Sequence, residues 1–270
     1  MSRKLAIIGS FELDSDTLLD DAITKVVSTR YGEVDVSEGR IGSQTVVQMT
    51  RSGSKHPTPP HAINFRANIA ALVSLGVTDI VATAMCGTLR PERAPIGTLI
   101  VPDQLIDASK HRNWTYFEDH DFAFVDFAEP FCGGLRGLLA AVAGREGISV
   151  ATEATYVCVD GPRFETKAEA RMYSILGGDL MGMTIGPEAI LAREAGICYA
   201  TIASATNLVA GVEDDGSAPR FQNARLEILR SMLPLIRGLA RSVAEGDERP
   251  ACGCPTAPYM YRQTRRGSDQ

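Results

Sequence analysis

The sequence predicts an α/β sheet covered on both faces by helices. Three observations carry this. Its candidate strands are short continuous apolar runs, not the alternating apolar and polar residues of a sheet with one wet face. Helical segments separate those runs through most of the chain. No internal repeat and no Pro/Gly/Ser-rich linker divides the body, so residues 1–245 read as one domain and 246–270 as a C-terminal tail.

Taken in order, Leu5–Ile8 is a buried-strand pattern closed by Gly9-Ser10, and Thr45–Met49 is a second strand. A proline-rich loop, Thr50–Pro60, precedes a helix over His61–Gly76, whose apolar positions Ile63, Ala67, Ala70, Ala71 and Leu75 fall near helical spacing. Asp79–Thr83 and Gly97–Val101 are strands. Pro130–Gly147 is a helix and Thr155–Val159 a strand. Thr166–Gly177 is a helix with Thr166 as its N-cap. Glu188–Gly196 is a short helix, Cys198–Ala203 a strand, and Asn223–Ala244 a long amphipathic helix. From Gly246 onward there is no periodicity, three prolines and a basic pair, Arg265-Arg266, which reads as a tail that is flexible or ordered on contact.

Composition narrows the function classes. Hydrophobic residues make up 44% and charged residues 22%, which are globular values. With 27 Lys+Arg against 33 Asp+Glu, the net charge of −6 argues against a nucleic-acid partner. No apolar run approaches the roughly 20 residues of a membrane span, and no signal peptide is apparent, so a cytoplasmic protein is expected. Cys86, Cys132, Cys158 and Cys198 read as reduced thiols in apolar surroundings. Cys252-Gly253-Cys254 is a lone CxC, too little for a four-ligand zinc site, and no metal site or cofactor is expected. The dinucleotide, P-loop and serine-hydrolase glycine motifs are absent.

In an open α/β sheet, ligands bind beyond the carboxyl ends of the strands. Five segments fall there: Gly9-Ser10, Thr83–Thr88, Asp160–Thr166, Met181–Glu188 and Thr206-Asn207. Asp160-Gly-Pro-Arg-Phe-Glu-Thr166 is the densest. Phe164 offers a ring face and Glu165 a carboxylate, the pair of features a flat heteroaromatic ligand needs; the same residues also suit an ordinary helix entry. In Met181-Gly-Met-Thr-Ile-Gly-Pro-Glu188, small residues admit a ligand, Thr184 supplies a hydroxyl, and a helix opened by Pro187-Glu188 would aim amides at an anion. Asn207 can both donate to and accept from a base edge, or serve as a turn residue.

Together these segments resemble the trimeric purine nucleoside and methylthioadenosine phosphorylases. The resemblance rests on Ile63-Asn-Phe-Arg-Ala-Asn68, Cys86-Gly-Thr-Leu-Arg90, Gly97–Asp107, Ala128-Glu-Pro-Phe131, Gly161-Pro-Arg-Phe-Glu-Thr166, Met181-Gly-Met-Thr184, Pro187-Glu188 and Glu194-Ala-Gly-Ile-Cys-Tyr-Ala200, in the family's order over roughly 4–245. It implies a doubly wound mixed sheet flanked by helices, a homotrimer, and cleavage of a purine nucleoside's N-glycosidic bond by phosphate, with no cofactor. It further implies that Phe164 stacks on the base, that Glu165 and Asn207 meet its edge as the catalytic pair, and that Met183 packs under the ribose, with Cys86 and Gly87 also in the substrate site. Ser10, Arg51 and Thr184 would bind phosphate. His120, on the Trp114–Phe131 loop beside Phe117 and Phe122, would cover the sugar of a neighbouring subunit.

The pair Glu165/Asn207 points to a 6-oxopurine, which presents N1–H to the carboxylate and O6 or N7 to the amide; the adenine-specific branch resembles this chain but carries Ser and Asp there. The apolar Leu208–Gly211 suits a 5′-methylthio group. The chain departs from the family's pattern at the phosphate loops: Phe11 and Glu12 stand in the first, Ser52 replaces a histidine in the second, and Ala84 stands where a polar residue is usual. Two classes follow: a phosphorylase with weak phosphate dependence, or a hydrolase or noncatalytic relative that kept the base pocket.

Overall fold

The structure is a computed structural model that describes residues 3–9, 18–53, 57–117, 122–212, 221–246, 250–255 and 261–262. Its centre is strand β5 (Asp79–Thr88), flanked in parallel by β1 (Leu5–Gly9) and β12 (Cys198–Leu208), with Leu5 and Cys198 both opposite Asp79. Beyond β1 lie β4 (Gln44–Thr50), parallel to it, then antiparallel β3 (Gly32–Ile41) and β2 (Asp20–Thr29). At the carboxyl end of β5 the sheet branches. There β11 (Leu180–Gly182) pairs antiparallel, Met181 opposite Gly87, and leads to β10 (Thr155–Cys158) and β7 (Gln104–Asp107). Strand β12 also pairs with β6 (Leu99–Ile100), which carries β9 (Val150–Ala151).

Alternation along the strands divides the core between two faces. In β1, Ala6 and Ile8 join the cluster under helices α1 (Phe65–Ser74) and α4 (Ile185–Glu194). Leu5 and Ile7 join the opposite cluster, under α2 (Gly133–Arg145) and α5 (Phe221–Ala244). Strand β12 divides the same way, Tyr199 and Ala203 against Ala200 and Ile202. A side chain buried this fully contributes about 1.5–3 kcal/mol, and both faces are covered, which is why the central strands read as unbroken apolar runs. Helix α5 presents Ile228, Met232, Leu235, Leu239 and Val243 at helical spacing to its cluster.

The mixed α/β architecture is as expected, and several boundaries shift for local reasons. The helix expected over His61–Gly76 breaks: Pro60–Ala62 is a 3-10 turn, and Asn64 caps α1 by accepting from the Ala67 N–H at 3.1 Å. Helix α3 (Lys167–Ile175) starts after the expected cap, Thr166, in a reciprocal capping box with Glu169. Helix α4 opens at Ile185, not at Pro187-Glu188. Pro187 sits in its first turn, where its missing N–H leaves no bond unmade.

Part of the tail packs on the domain. Cys254 is buried in the cluster under α2 and α5, and Cys252 packs against it. Farther on, β13 (Tyr261–Arg262) pairs antiparallel with β8 (Ala123–Phe124). Among the described residues, no helix is long and apolar enough to cross a membrane.

Candidate functional site

The carboxyl ends of β4, β5, β11 and β12 converge on a cavity of about 530 Å³. Eight of the ten residues singled out in the sequence line it: Arg51, Cys86, Gly87, Phe164, Glu165, Met183, Thr184 and Asn207. Ser52 and Ala84 line it too. Ser10 and His120 lie outside the described residues, as do Phe11, Glu12, Lys55 and His56.

Asn207 reaches the cavity through a bulge. Ala205 pairs with Cys86 and Asn207 with Gly87, so Thr206 is the extra residue in β12. The Asn207 Nδ2 donates to the Leu208 carbonyl at 2.9 Å, which fixes which end of the amide is nitrogen. Its Oδ1 accepts from the Thr206 hydroxyl at 3.0 Å. One amide N–H and one oxygen lone pair remain for a ligand. Glu165 is half-buried, and its Oε1 accepts from the Ala210 N–H at 2.8 Å. That single bond sets the carboxylate's position and leaves Oε2 without a hydrogen-bond partner among the described residues. Phe164 is 66% exposed, so its ring is a platform at the cavity and not part of the core.

Arg51 is built differently. It is 6% exposed and forms two hydrogen bonds with Glu188, Nε to Oε1 at 2.5 Å and Nη2 to Oε2 at 3.2 Å. Glu188 is completely buried and also accepts from the Tyr199 hydroxyl at 2.7 Å. Burial works against the Arg51 charge, but the carboxylate outweighs it and holds the guanidinium above its ordinary value. The Arg51 backbone is tied as well, its N–H to the Gly9 carbonyl at 3.0 Å and its carbonyl to Asn68 Nδ2 at 2.9 Å. Glu188, which the sequence suggested as a helix opener beside an anion, is the counter-ion of Arg51. Thr184 precedes α4 and its hydroxyl makes no capping bond, so it remains free to meet a ligand.

The walls demand small residues. A Cβ on Gly182 would lie 2.0 Å from the Tyr156 hydroxyl, and one on Gly161, whose φ is +68°, would lie 2.4 Å from Met183 Sδ. Burial pushes the Cys86 thiol up to about 12, so it is a neutral, unreactive wall and not a nucleophile.

Arg112 is a residue the sequence did not single out. It is 8% exposed, donates to Asp160 Oδ1 at 3.2 Å, to the Asp160 carbonyl at 2.7 Å and to the Met183 carbonyl at 3.1 Å, and also bonds the Pro60 carbonyl. It thereby joins three cavity-forming segments. Burial raises the Asp160 pKa, but the Lys110 and His111 N–H groups and Arg112 outweigh it and hold the carboxyl below its usual range. In the apolar segment Leu208–Gly211, Val209 packs beside Leu89, Val157 and Met181, and none of Leu208, Val209, Ala210 and Gly211 lines the cavity.

Known proteins are similar to this chain over most of its length. The family model of the phosphorylase superfamily matches residues 4–234. A 6-oxopurine nucleoside phosphorylase of Pyrococcus furiosus is 44% identical over 216 residues, covering 77% of this chain and 81% of that protein. An S-methyl-5′-thioadenosine phosphorylase of Nitrosopumilus maritimus is 35% identical over 260 residues, covering 94% and 96%. Among solved structures, a methylthioadenosine phosphorylase from an Antarctic soil metagenomic library superposes with a TM-score of 0.88 at 31% identity, covering 98% of this chain and 94% of the other.

Proposed function

This chain belongs to the phosphorylase superfamily, and we propose that it cleaves the N-glycosidic bond of purine nucleosides with phosphate, taking 6-oxopurines in preference to adenine. It is a pentosyltransferase: phosphate oxygen bonds to C1′ of the sugar as the bond to purine N9 breaks, and the bonding electrons leave with the base. The observation that carries the base preference is the pairing, in one cavity, of a half-buried carboxylate with a spare oxygen (Glu165) and an amide with a spare N–H (Asn207).

A 6-oxopurine offers N1–H to Glu165, and its O6 or N7 accepts from Asn207. As the base departs, charge builds on its ring, and an amide donor already in position stabilises it without reorganising. Adenine presents a bare N1, which the carboxylate repels. A site built on polar partners rejects a ligand that leaves them unmatched. Phe164 stacks on the base and Met183 lies against the ribose, with Cys86 and Gly87 completing the wall. Arg51 and Thr184 bind phosphate. The Arg51 charge is compensated by Glu188, so Arg51 contributes through its remaining N–H groups as well as its field, and Ser52 adds a hydroxyl beside it. The reaction needs no cofactor.

We read the working form as a homotrimer in which the loop between Trp114 and Phe131 reaches a neighbour's sugar. Phe122 and Phe124, paired at 5.4 Å and exposed by 42% and 63%, support an interface there. Light scattering tests this, and a monomer at working concentration removes it.

The reaction is tested by purine release from inosine, guanosine, adenosine and methylthioadenosine, each with and without phosphate. Phosphate-dependent release of hypoxanthine and guanine, faster than adenine, is expected. Faster adenine release overturns the edge argument, and release in water alone identifies a hydrolase.

A further inference from the structure

Cys132, Cys198, Cys252 and Cys254 come from three separate parts of the chain, yet their four sulfur atoms all lie within 4.8 Å of one another. Cys132 is the residue before α2, and its Sγ accepts from the Leu135 N–H at 3.4 Å. Its own N–H donates to the Tyr199 carbonyl at 2.8 Å, which fixes it beside the start of β12. Cys198 is the first residue of β12, and its sulfur lies 3.5 Å from that of Cys252. Cys254 is 2% exposed and Cys252 is half-buried, both packed in the cluster under α2 and α5.

From this geometry we infer that the four cysteines bind one zinc ion as a closed tetrathiolate that fastens the C-terminal segment to the domain. Zinc–sulfur bonds of about 2.3 Å in a tetrahedron set sulfur atoms about 3.8 Å apart. Four thiols gathered within 4.8 Å already approach that arrangement. Thiols acting only as small apolar groups have no reason to meet at a single point. Four protein ligands leave no open position, so the site is structural and not catalytic. Binding releases the thiol protons to solvent, because the thiolate is the ligand. The resulting negative charge meets the Leu135 N–H at the α2 N-terminus, which already donates to Cys132 Sγ. The ion thereby joins α2, the tail and β12, the strand that ends in Asn207.

The test uses the full-length chain from zinc-replete cells, purified anaerobically under a non-chelating reductant. Elemental analysis should give about one zinc per chain, and a thiol-capping mercurial should release it to a chromophoric chelator. Cys252→Ser, at the half-buried ligand, should lower the zinc content at least about tenfold, while Cys158→Ala, outside the cluster, keeps it. Cobalt(II) exchanged into the unaltered chain should show the thiolate charge-transfer and intense visible bands of a tetrahedral tetrathiolate, a readout independent of how any variant folds. Metal-free protein with these cysteines joined in disulfides on non-reducing peptide mapping overturns the inference. Four reactive thiols without metal, or iron in place of zinc, overturn it equally.

Discussion

Glu165 and Asn207 each commit part of their hydrogen-bonding capacity to the protein and keep the rest for the cavity they share. Arg51, on the same cavity, gives two N–H groups to a completely buried Glu188, which is further held by Tyr199. The first pair is half-exposed and positioned by one backbone bond each, with the Thr206 hydroxyl as a second partner for Asn207. The second is a desolvated ion pair tying β4 to α4 and β12. The difference teaches that one cavity combines two kinds of polar group: those held for recognition, whose loss changes which ligand binds, and those held for construction, whose loss changes whether the cavity exists.

The widest separation between the two should come from Glu188→Ala. It leaves the Arg51 guanidinium buried and unpaired, and breaking such a pair costs about 3–5 kcal/mol. Urea or thermal unfolding measures this, and a loss below about 1 kcal/mol would show that water or other groups replace the carboxylate. Glu165→Gln should instead unfold like the unaltered chain. It should lower kcat/KM for inosine by about ten- to a hundredfold, the worth of a charged hydrogen bond of about 1.5–3 kcal/mol. Adenosine should lose less or gain, because an amide can donate to its N1. Equal losses on both substrates would break the comparison by making Glu165 a structural residue.

How much of this was legible in the sequence depends on where each element hides its apolar residues. β1, β5 and β12 are buried on both faces and announce themselves as apolar runs. The β2–β3 hairpin does not, since β2 is exposed along most of its length and held by ion pairs such as Lys25–Glu38, which leave no hydrophobic period to read. β11 is three residues long, too short for any period. Phe164, Glu165, Met183 and Thr184 stood out because each follows a strand in an unusual turn, and Asn207 because it lies beyond the apolar run of β12, though within the strand. Arg112 had no such signal: its role is set by carbonyls from Pro60, Asp160 and Met183, which carry no side-chain information. The cysteine cluster was hidden by distance, with Cys198 and Cys252 separated by 54 residues. The one clue was the CxC itself, in a tail otherwise without pattern.

A smaller effect sharpens the recognition side. Thr184→Val keeps the β-branched shape and removes a hydroxyl that caps nothing. Stability should stay within about 0.5 kcal/mol. The KM for phosphate should rise by up to about tenfold, the worth of one neutral hydrogen bond of about 0.5–1.5 kcal/mol. Initial rates against phosphate concentration measure it. An unchanged phosphate KM would move the anion away from α4.

The smallest expected effect lies on the construction side and appears as a pH dependence. Asp160 has its pKa held below the ordinary carboxylate value, despite burial, by two backbone N–H groups and Arg112. A depressed folded-state value means that the ionised carboxylate stabilises the fold at any pH above the unfolded value of about 3.9. The contribution fades as pH falls through the lower folded value. Asp160→Asn should therefore be less stable at neutral pH, by no more than about 1 kcal/mol since the carboxylate is partly solvated. The two stability curves should run parallel above about pH 5 and converge below about pH 4. Chemical denaturation across that range measures the gap. A gap that stays constant down to pH 3 would mean that the loss comes from packing around Arg112 and not from the charge. A gap that widens on acidification would reverse the sign and place the folded pKa above the unfolded one.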